Sequence, residues 1–197
     1  VEFPLDPAVL LQVARKGEFW SYAAGTAYKL IVEHDVGGLE IDNYKTTLPL
    51  KKGLSSSAAV CVLVARAYSA AYGLRLSVRG EMEYAFQGET LTPSMCGRMD
   101  QACAYGPRPV CLRFDGNHLD VEPLQVGGEV YLVVVDLCAK KDTVKILGAL
   151  NAAYPTSRND AHGRLHALLG PINHRITAAA AAALAAGDAA KLGALMK

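Results

Sequence analysis

One stretch, Leu48 to Val64, constrains this chain more than any other; it reads LPLKKGLSSSAAVCVLV. Pro49 to Gly53 predicts a turn that closes a preceding run of alternating apolar residues. Gly53 and Leu54 then lead into three consecutive hydroxyls, Ser55, Ser56 and Ser57, and Ala58-Ala59 opens an apolar segment reaching Tyr72 before Gly73. The pattern predicts a strand, a tight loop and the N-terminus of a buried helix. Serines at that point cap a helix while other first-turn amides stay free, and those amides at the positive end of the helix dipole suit a phosphate group. No Gly-Lys-Ser/Thr closes the loop, so it is not a Walker loop. A serine-capped helix behind a loop of small residues is also a common structural device, and on these residues alone both readings stand.

At 197 residues the chain can bury one good core, and one domain is the default. With 51% hydrophobic and 20% charged residues it reads as a globular chain, and its apolar runs are broken well short of about 20 residues, so no membrane span is expected. The formal charge of +1 gives no electrostatic case for nucleic acid or an anionic membrane surface. Five cysteines (Cys61, Cys96, Cys103, Cys111, Cys138) form no C-x-x-C pair, which predicts reduced, mostly buried thiols and a cytoplasmic location. No secretory or transit segment is visible. The chain starts at Val1 without a methionine, which leaves room for an upstream portion and any targeting signal on it.

Taken in order, Val9, Leu10 and Val13 predict a first helix, and the recurrences between Phe19 and Val32 a second, with Trp20 and Tyr22 read as core aromatics. Residues 39–44 alternate as a strand that continues into the loop. The helix from about Ser57 should end at Gly73, and Ser77 should cap the next one, running to Gly88. Val110 to Phe114 and Leu119 to Val121 predict a hairpin around Asp115-Gly116-Asn117, and the β-branched run 130–136 a central strand. A helix is expected from Thr143 through Leu150. His162 and His166 share a helix face at i, i+4, but without a glutamate in metalloprotease register they read as solvated histidines. Residues 172–197 predict a helical pair broken at Gly187-Asp188.

A second constellation follows the fourth of these helices: Ala85-Phe86-Gln87-Gly88-Glu89, then Gly97-Arg98-Met99-Asp100-Gln101. One carboxylate to hold a phosphate-bridging metal and another to meet an acceptor hydroxyl are what phosphoryl transfer needs. Glu89 can equally be a solvated acid at a helix end, and Asp100 a cap for a helix starting at Gln101.

The string Pro49 to Ala59 closely resembles the phosphate-binding motif of the GHMP kinases, the superfamily of galactokinase, homoserine kinase, mevalonate kinase and phosphomevalonate kinase. Ala85 to Glu89 resembles the mevalonate kinase segment that supplies a magnesium-binding glutamate. Gly97 to Gln101 resembles the galactokinase segment with the aspartate facing the substrate hydroxyl. The resemblance implies an α+β fold of the ribosomal protein S5 domain 2 kind, a mixed sheet with packed helices, incomplete at both ends. Residues 1–170 would be the ATP-binding N-terminal domain and 171–197 the helical start of a C-terminal one. It implies ATP and Mg²⁺ as cofactors, with Gly53, Leu54, Ser55, Ser56, Ser57 and Ala58 around the nucleotide phosphates. Ser57 and Glu89 would be metal ligands and Asp100 the catalytic aspartate, with Lys140, Lys141 and Thr143 as substrate-side candidates against a solvated lysine pair.

The implied reaction is phosphorylation of a small-molecule hydroxyl, most simply a sugar, with a mevalonate-type isoprenoid acceptor as the alternative. A non-catalytic relative serving as ligand sensor or structural subunit is the rival from another class. The family's basic residue on an early strand and its glycine-rich loop are expected outside residues 1–197, and without them the isolated chain is expected not to turn over.

Overall fold

The computed structural model describes residues 1–48, 53–94, 96–136, 138 and 143–197, and for 143–146 and 149 the backbone only. The chain divides into two compact units: Val1–Gly106 with Cys138–Leu147, and Pro107–Leu137 with Gly148–Lys197.

The first unit is a helical cluster. Helix α1 (Pro7–Arg15) starts behind Asp6, whose carboxylate accepts from the Ala8 amide, with Pro7 in the first turn. Helix α2 (Ser21–Glu33) is tied back to α1 through Ser21, whose hydroxyl accepts from the Glu18 amide and donates to the Val13 carbonyl. Helix α3 (Ser56–Tyr72) buries Ala58, Cys61, Val62, Ala65 and Tyr68, the i, i+3, i+4, i+7 spacing of a core-facing stripe. It ends at Gly73 with φ 62°, a left-handed stop that glycine takes without a Cβ penalty. Helix α4 (Val78–Thr90) is capped by Ser77, whose hydroxyl accepts from the Gly80 amide. A 3-10 helix follows over Asp100–Tyr105. Leu30, Val64, Ala65 and Tyr68 form a core cluster against which Leu39, Leu74, Leu76 and Tyr84 pack.

Two contacts fix how these helices meet. At the α2–α4 crossing a Cβ on Gly25 would lie 2.3 Å from the Gly88 carbonyl oxygen, and one on Gly88 2.5 Å from the Thr26 Cα, so only glycines allow this approach. Arg66 on α3 clamps its neighbours: Nε and Nη2 donate to Glu81 Oε2 on α4 at 2.9 and 2.6 Å, and Nη2 also donates to the Ala104 carbonyl at 2.9 Å. The 3-10 helix is thereby fastened to both long helices.

In the second unit β1 (Val110–Asp115) and β2 (His118–Pro123) pair antiparallel, with Asp115 opposite His118 around Gly116-Asn117. Helix α5 (Thr143–Ala152) crosses the division between units in sequence, and α6 (Asp160–Ala167) is capped by Asn159. A π-helical turn over Leu168–Ile172, bent at Gly170 before Pro171, leads into α7 (Asn173–Ala186). Gly187 stops α7 at φ 70°, and α8 (Ala189–Leu195) starts behind Asp188, whose carboxylate accepts from the Lys191 amide. Gly127 donates to the Leu184 carbonyl at 3.0 Å, an approach that leaves no room for a Cβ beside Ala185.

The architecture is α+β, with a sheet of two antiparallel strands among the described residues in place of the mixed sheet expected from sequence. Two predicted strands do not form. Residues 39–44 are irregular and largely exposed, held near the helices by Leu39 and by the Tyr72 hydroxyl donating to the Gly38 carbonyl. Residues 130–136 are irregular too, with Tyr131 83% and Val133 88% exposed. A strand exists through its pairing, and no described segment pairs with either run, so β propensity has nothing to act on. Trp20 is exposed, edge-on to Phe19 at 5.0 Å, and not the core aromatic expected. Of the cysteines only Cys61 and Cys111 are buried; Cys96 is partly so, and Cys103 and Cys138 are exposed, which corrects the expectation of mostly buried thiols. Among the described residues no helix is long and apolar enough to cross a membrane.

Candidate functional site

Gly53 and Ser55 both take positive φ, 79° and 54°, so the loop winds through left-handed backbone just before α3. For glycine this costs little; for serine it is strained by about 1 kcal/mol or more. The capping expected of the serines is absent at Ser55, which occupies the N-cap position in left-handed conformation without a side-chain bond to the first turn. The usual N-cap is extended and accepts from the second or third amide; a left-handed backbone points the hydroxyl elsewhere. The first turn of α3 therefore lacks the capping acceptor that Ser77 supplies to α4. Pro49 to Lys52 of the same motif lie outside the described residues.

Glu89 sits in the last turn of α4 and is 2% exposed. Its backbone is held by Thr92, whose hydroxyl and amide both donate to the Glu89 carbonyl, at 2.7 and 3.0 Å. Its carboxylate Oε2 accepts from Gln101 Nε2 at 2.8 Å. Burial pushes the carboxyl above the usual carboxylate range and the charge of Asp100 adds to the rise; hydrogen bonding from Ser57, Gln101 and Cys96 works the other way. Burial and the Glu89 charge likewise raise Tyr22, and push the Cys96 thiol up to about 11.

Three of the sequence-predicted residues thus come together: Ser57 from the first turn of α3, Glu89 from the end of α4 and Asp100 from the start of the 3-10 helix. Asp100 is partly exposed and not a side-chain cap, since Met99 holds the N-cap position. Glu89 is not a solvated helix-end acid. Lys140 and Lys141 lie outside the described residues; Thr143 begins α5, and only its backbone is described. His162 Nδ1 accepts from the Arg158 amide at 3.3 Å, while His166 Nε2 bonds the Ala153 carbonyl at 2.7 Å, so each has its own partner.

Residues absent from the sequence-based site also matter. Gln101 is fully buried against Glu89, and Tyr22 and Cys96 lie in the field of its charge. Arg98 donates to Glu83 Oε1 at 3.2 Å and stacks over Phe86 at 4.8 Å, bracing the segment before Asp100 on α4. Its place at the end of the Gly97 to Gln101 string, directly after Asp100, is the signal that could have singled Gln101 out.

The raised Glu89 pKa has a consequence for stability. A carboxyl whose folded pKa exceeds its unfolded one is neutral in both states at low pH. It destabilises the fold increasingly as pH rises from the unfolded pKa to the folded one, and by a constant amount above. Glu89→Gln is therefore expected to melt higher than the parent at neutral pH, the gap closing towards about pH 4. Thermal melts across that range check it; a variant melting lower at neutral pH would mean the charge is not buried at a cost.

Among the described residues no group of three or more His, Cys, Asp or Glu side chains can hold a metal. The donors available, a serine hydroxyl and a buried carboxylate, are hard oxygens. They fit Mg²⁺, which keeps waters and is held by one or two carboxylates together with substrate phosphates rather than by a protein-only cage.

Residues 21–107 match the family model described as GHMP kinases N terminal domain. The match begins at the first residue of α2 and ends one residue past Gly106, the end of the continuous part of the first unit, so it takes in Ser57, Glu89, Asp100 and Gln101. No curated protein and no solved structure matches the chain. The family is one of small-molecule kinases, and what residues 21–107 of this chain are similar to is its N-terminal domain.

Proposed function

We propose that this chain carries the nucleotide and metal site of an ATP- and Mg²⁺-dependent kinase that phosphorylates a hydroxyl of a small molecule, a sugar being the acceptor class. The observation that supports it best is the buried Glu89 carboxylate, on which Ser57 at the start of α3 and Asp100 on the following turn both act. The likeness of Gly97 to Gln101 to the galactokinase segment supports a sugar over an isoprenoid. In this reading the domain is S5-like, residues 1–170 and 171–197 belong to successive domains, and the protein works in the cytoplasm.

The roles follow from the chemistry. The loop from Gly53 to Ala58 holds nucleotide phosphates on the amides of the first turn of α3, where the helix dipole favours negative charge. Ser57 and Glu89 would hold Mg²⁺, which would supply neutralisation of the negative charge on the nucleotide phosphates. Asp100 receives the acceptor hydroxyl in hydrogen-bond reach and takes up or directs its proton. The acceptor oxygen forms the new bond to the γ-phosphorus as the bond to the β-bridging oxygen breaks, and ADP leaves. No side chain becomes covalently attached, so the serines and cysteines need not be nucleophiles. Lys140, Lys141 and Thr143 are proposed on the acceptor side.

Ser57→Ala is the direct test. Losing one hydrogen bond costs about 1 kcal/mol, so the fold should survive. Calorimetric Mg²⁺-ATP affinity and turnover are expected to fall about tenfold or more, on the scale of altered metal sites. Unchanged binding and turnover would remove Ser57 from the metal site.

A further inference from the structure

We infer that Gln101 is a positioning residue: its buried amide holds the Glu89 carboxylate in one orientation and ties it to the turn that carries Asp100. The inference rests on the phosphotransfer reading of this site and adds to it a residue that touches neither metal nor acceptor.

Glutamine is mostly an exposed residue type, yet Gln101 is 0% exposed. A buried amide needs partners, and this one has them on one side only. Nε2 donates to Glu89 Oε2 at 2.8 Å and approaches Cys96 Sγ at 3.7 Å, while Oε1 has no partner among the described residues. Turning the amide over would set its oxygen against a carboxylate, two acceptors face to face, so the charge on Glu89 selects the orientation. An orphaned buried acceptor is destabilising, and an apolar side chain would serve packing better. What the amide supplies is a charge-assisted donor to Glu89, the stronger class of hydrogen bond.

The bond also spans two elements. Glu89 ends α4, Gln101 sits in the 3-10 helix directly after Asp100, and the Arg66 bond to the Ala104 carbonyl holds the other end of that helix. With Gln101 in place the two carboxylates cannot move independently. Without it Glu89 keeps its fixed backbone but loses the donor that links its carboxylate to the 3-10 helix.

Gln101→Met keeps length and approximate volume and removes the donor. In the whole protein its melting temperature balances two opposing changes, relief of the orphaned Oε1 and loss of the donor to the buried Glu89 carboxylate, so the decisive readout is binding. The magnesium concentration required for ATP binding, by calorimetry, should rise about tenfold or more, as for lost partners of metal ligands, with the KM for acceptor unchanged. A merely structural role would move all constants together. In the parent protein without nucleotide, the Gln101 side-chain amide protons should be protected from solvent exchange by NMR, a readout that holds even if Gln101→Met fails to fold. An amide exchanging as fast as an exposed glutamine overturns the inference. So does an unaltered magnesium requirement in a folded Gln101→Met. A parent protein that binds no Mg²⁺-ATP overturns the phosphotransfer reading itself and the role built on it, a result distinct from either.

Discussion

Asp100→Asn is expected to lower kcat by about 10²-fold or more while leaving Mg²⁺-ATP affinity close to that of the parent. The substitution keeps the shape of the side chain and removes its charge and its capacity to take a proton, and positioned acid–base groups contribute on that scale. Asp100 opens the 3-10 helix, partly exposed, on a backbone braced by Arg66 and Gln101, so the fold has no reason to respond. Relief of its repulsion on Glu89 should if anything ease ionisation of that carboxyl. Glu89→Gln should behave in the opposite way, raising the magnesium requirement with the acceptor KM unaltered. The pair separates roles that a general loss of structure would merge. Steady-state kinetics on the whole protein with the best acceptor from a panel of sugars and prenyl alcohols is the measurement. Wild-type behaviour from both variants would favour a binding-only relative that retains the kinase fold.

The largest structural effect is expected at the α2–α4 crossing. Gly88→Ala places a methyl 2.5 Å from the Thr26 Cα and Oγ1, and Gly25→Ala places one 2.3 Å from the Gly88 carbonyl oxygen. The obstructing atoms are mostly backbone, so the helices themselves must separate. Overpacking of this kind costs about 1–3 kcal/mol or more, and each kcal/mol moves the melting temperature of a chain this size by about 2–4 °C. Helix propensity acts against this, favouring alanine over glycine by about 1 kcal/mol. A net fall of about 5 °C is therefore expected for either variant. Gly80→Ala is the control: in the first turn of the same helix a Cβ would meet the Ser77 hydroxyl at an ordinary 3.5 Å, so only the propensity gain should register. Gly88→Ala should also raise the magnesium requirement, because Glu89 is the next residue and moves with the helix. Calorimetric melting of the three variants decides it, and a rise at Gly88 comparable to that at Gly80 would contradict so close a crossing.

The boundaries of the helices were legible in the chain because they are set by local chemistry. Gly73 and Gly187 stop helices where only a residue without a Cβ takes left-handed backbone easily, and Ser77 and Asp188 start them with side chains that reach the first-turn amides. The hairpin at Gly116-Asn117 was legible for the same reason. Ser57, Glu89 and Asp100 were singled out through spacing and family likeness; Ser57 and Asp100 both lie close enough to act on Glu89, and the roles given to the three are proposals. Residues 39–44 and 130–136 have strand composition and no strand, because pairing is a property of two segments and composition belongs to one.

What the tertiary structure alone decided concerns burial. The same three hydroxyls could have capped α3, and Ser55 instead takes a left-handed conformation that leaves the first turn without that acceptor. A glutamate at a helix end is ordinarily solvated; Glu89 is enclosed because the glycines at 25 and 88 bring α2 against α4, and because the 3-10 helix folds over it. Gln101 reads in sequence as the last residue of the Gly97 to Gln101 string, with no role of its own. It becomes the partner of Glu89 only when elements separated along the chain are packed together, since the donor it supplies matters in proportion to the water that packing has removed.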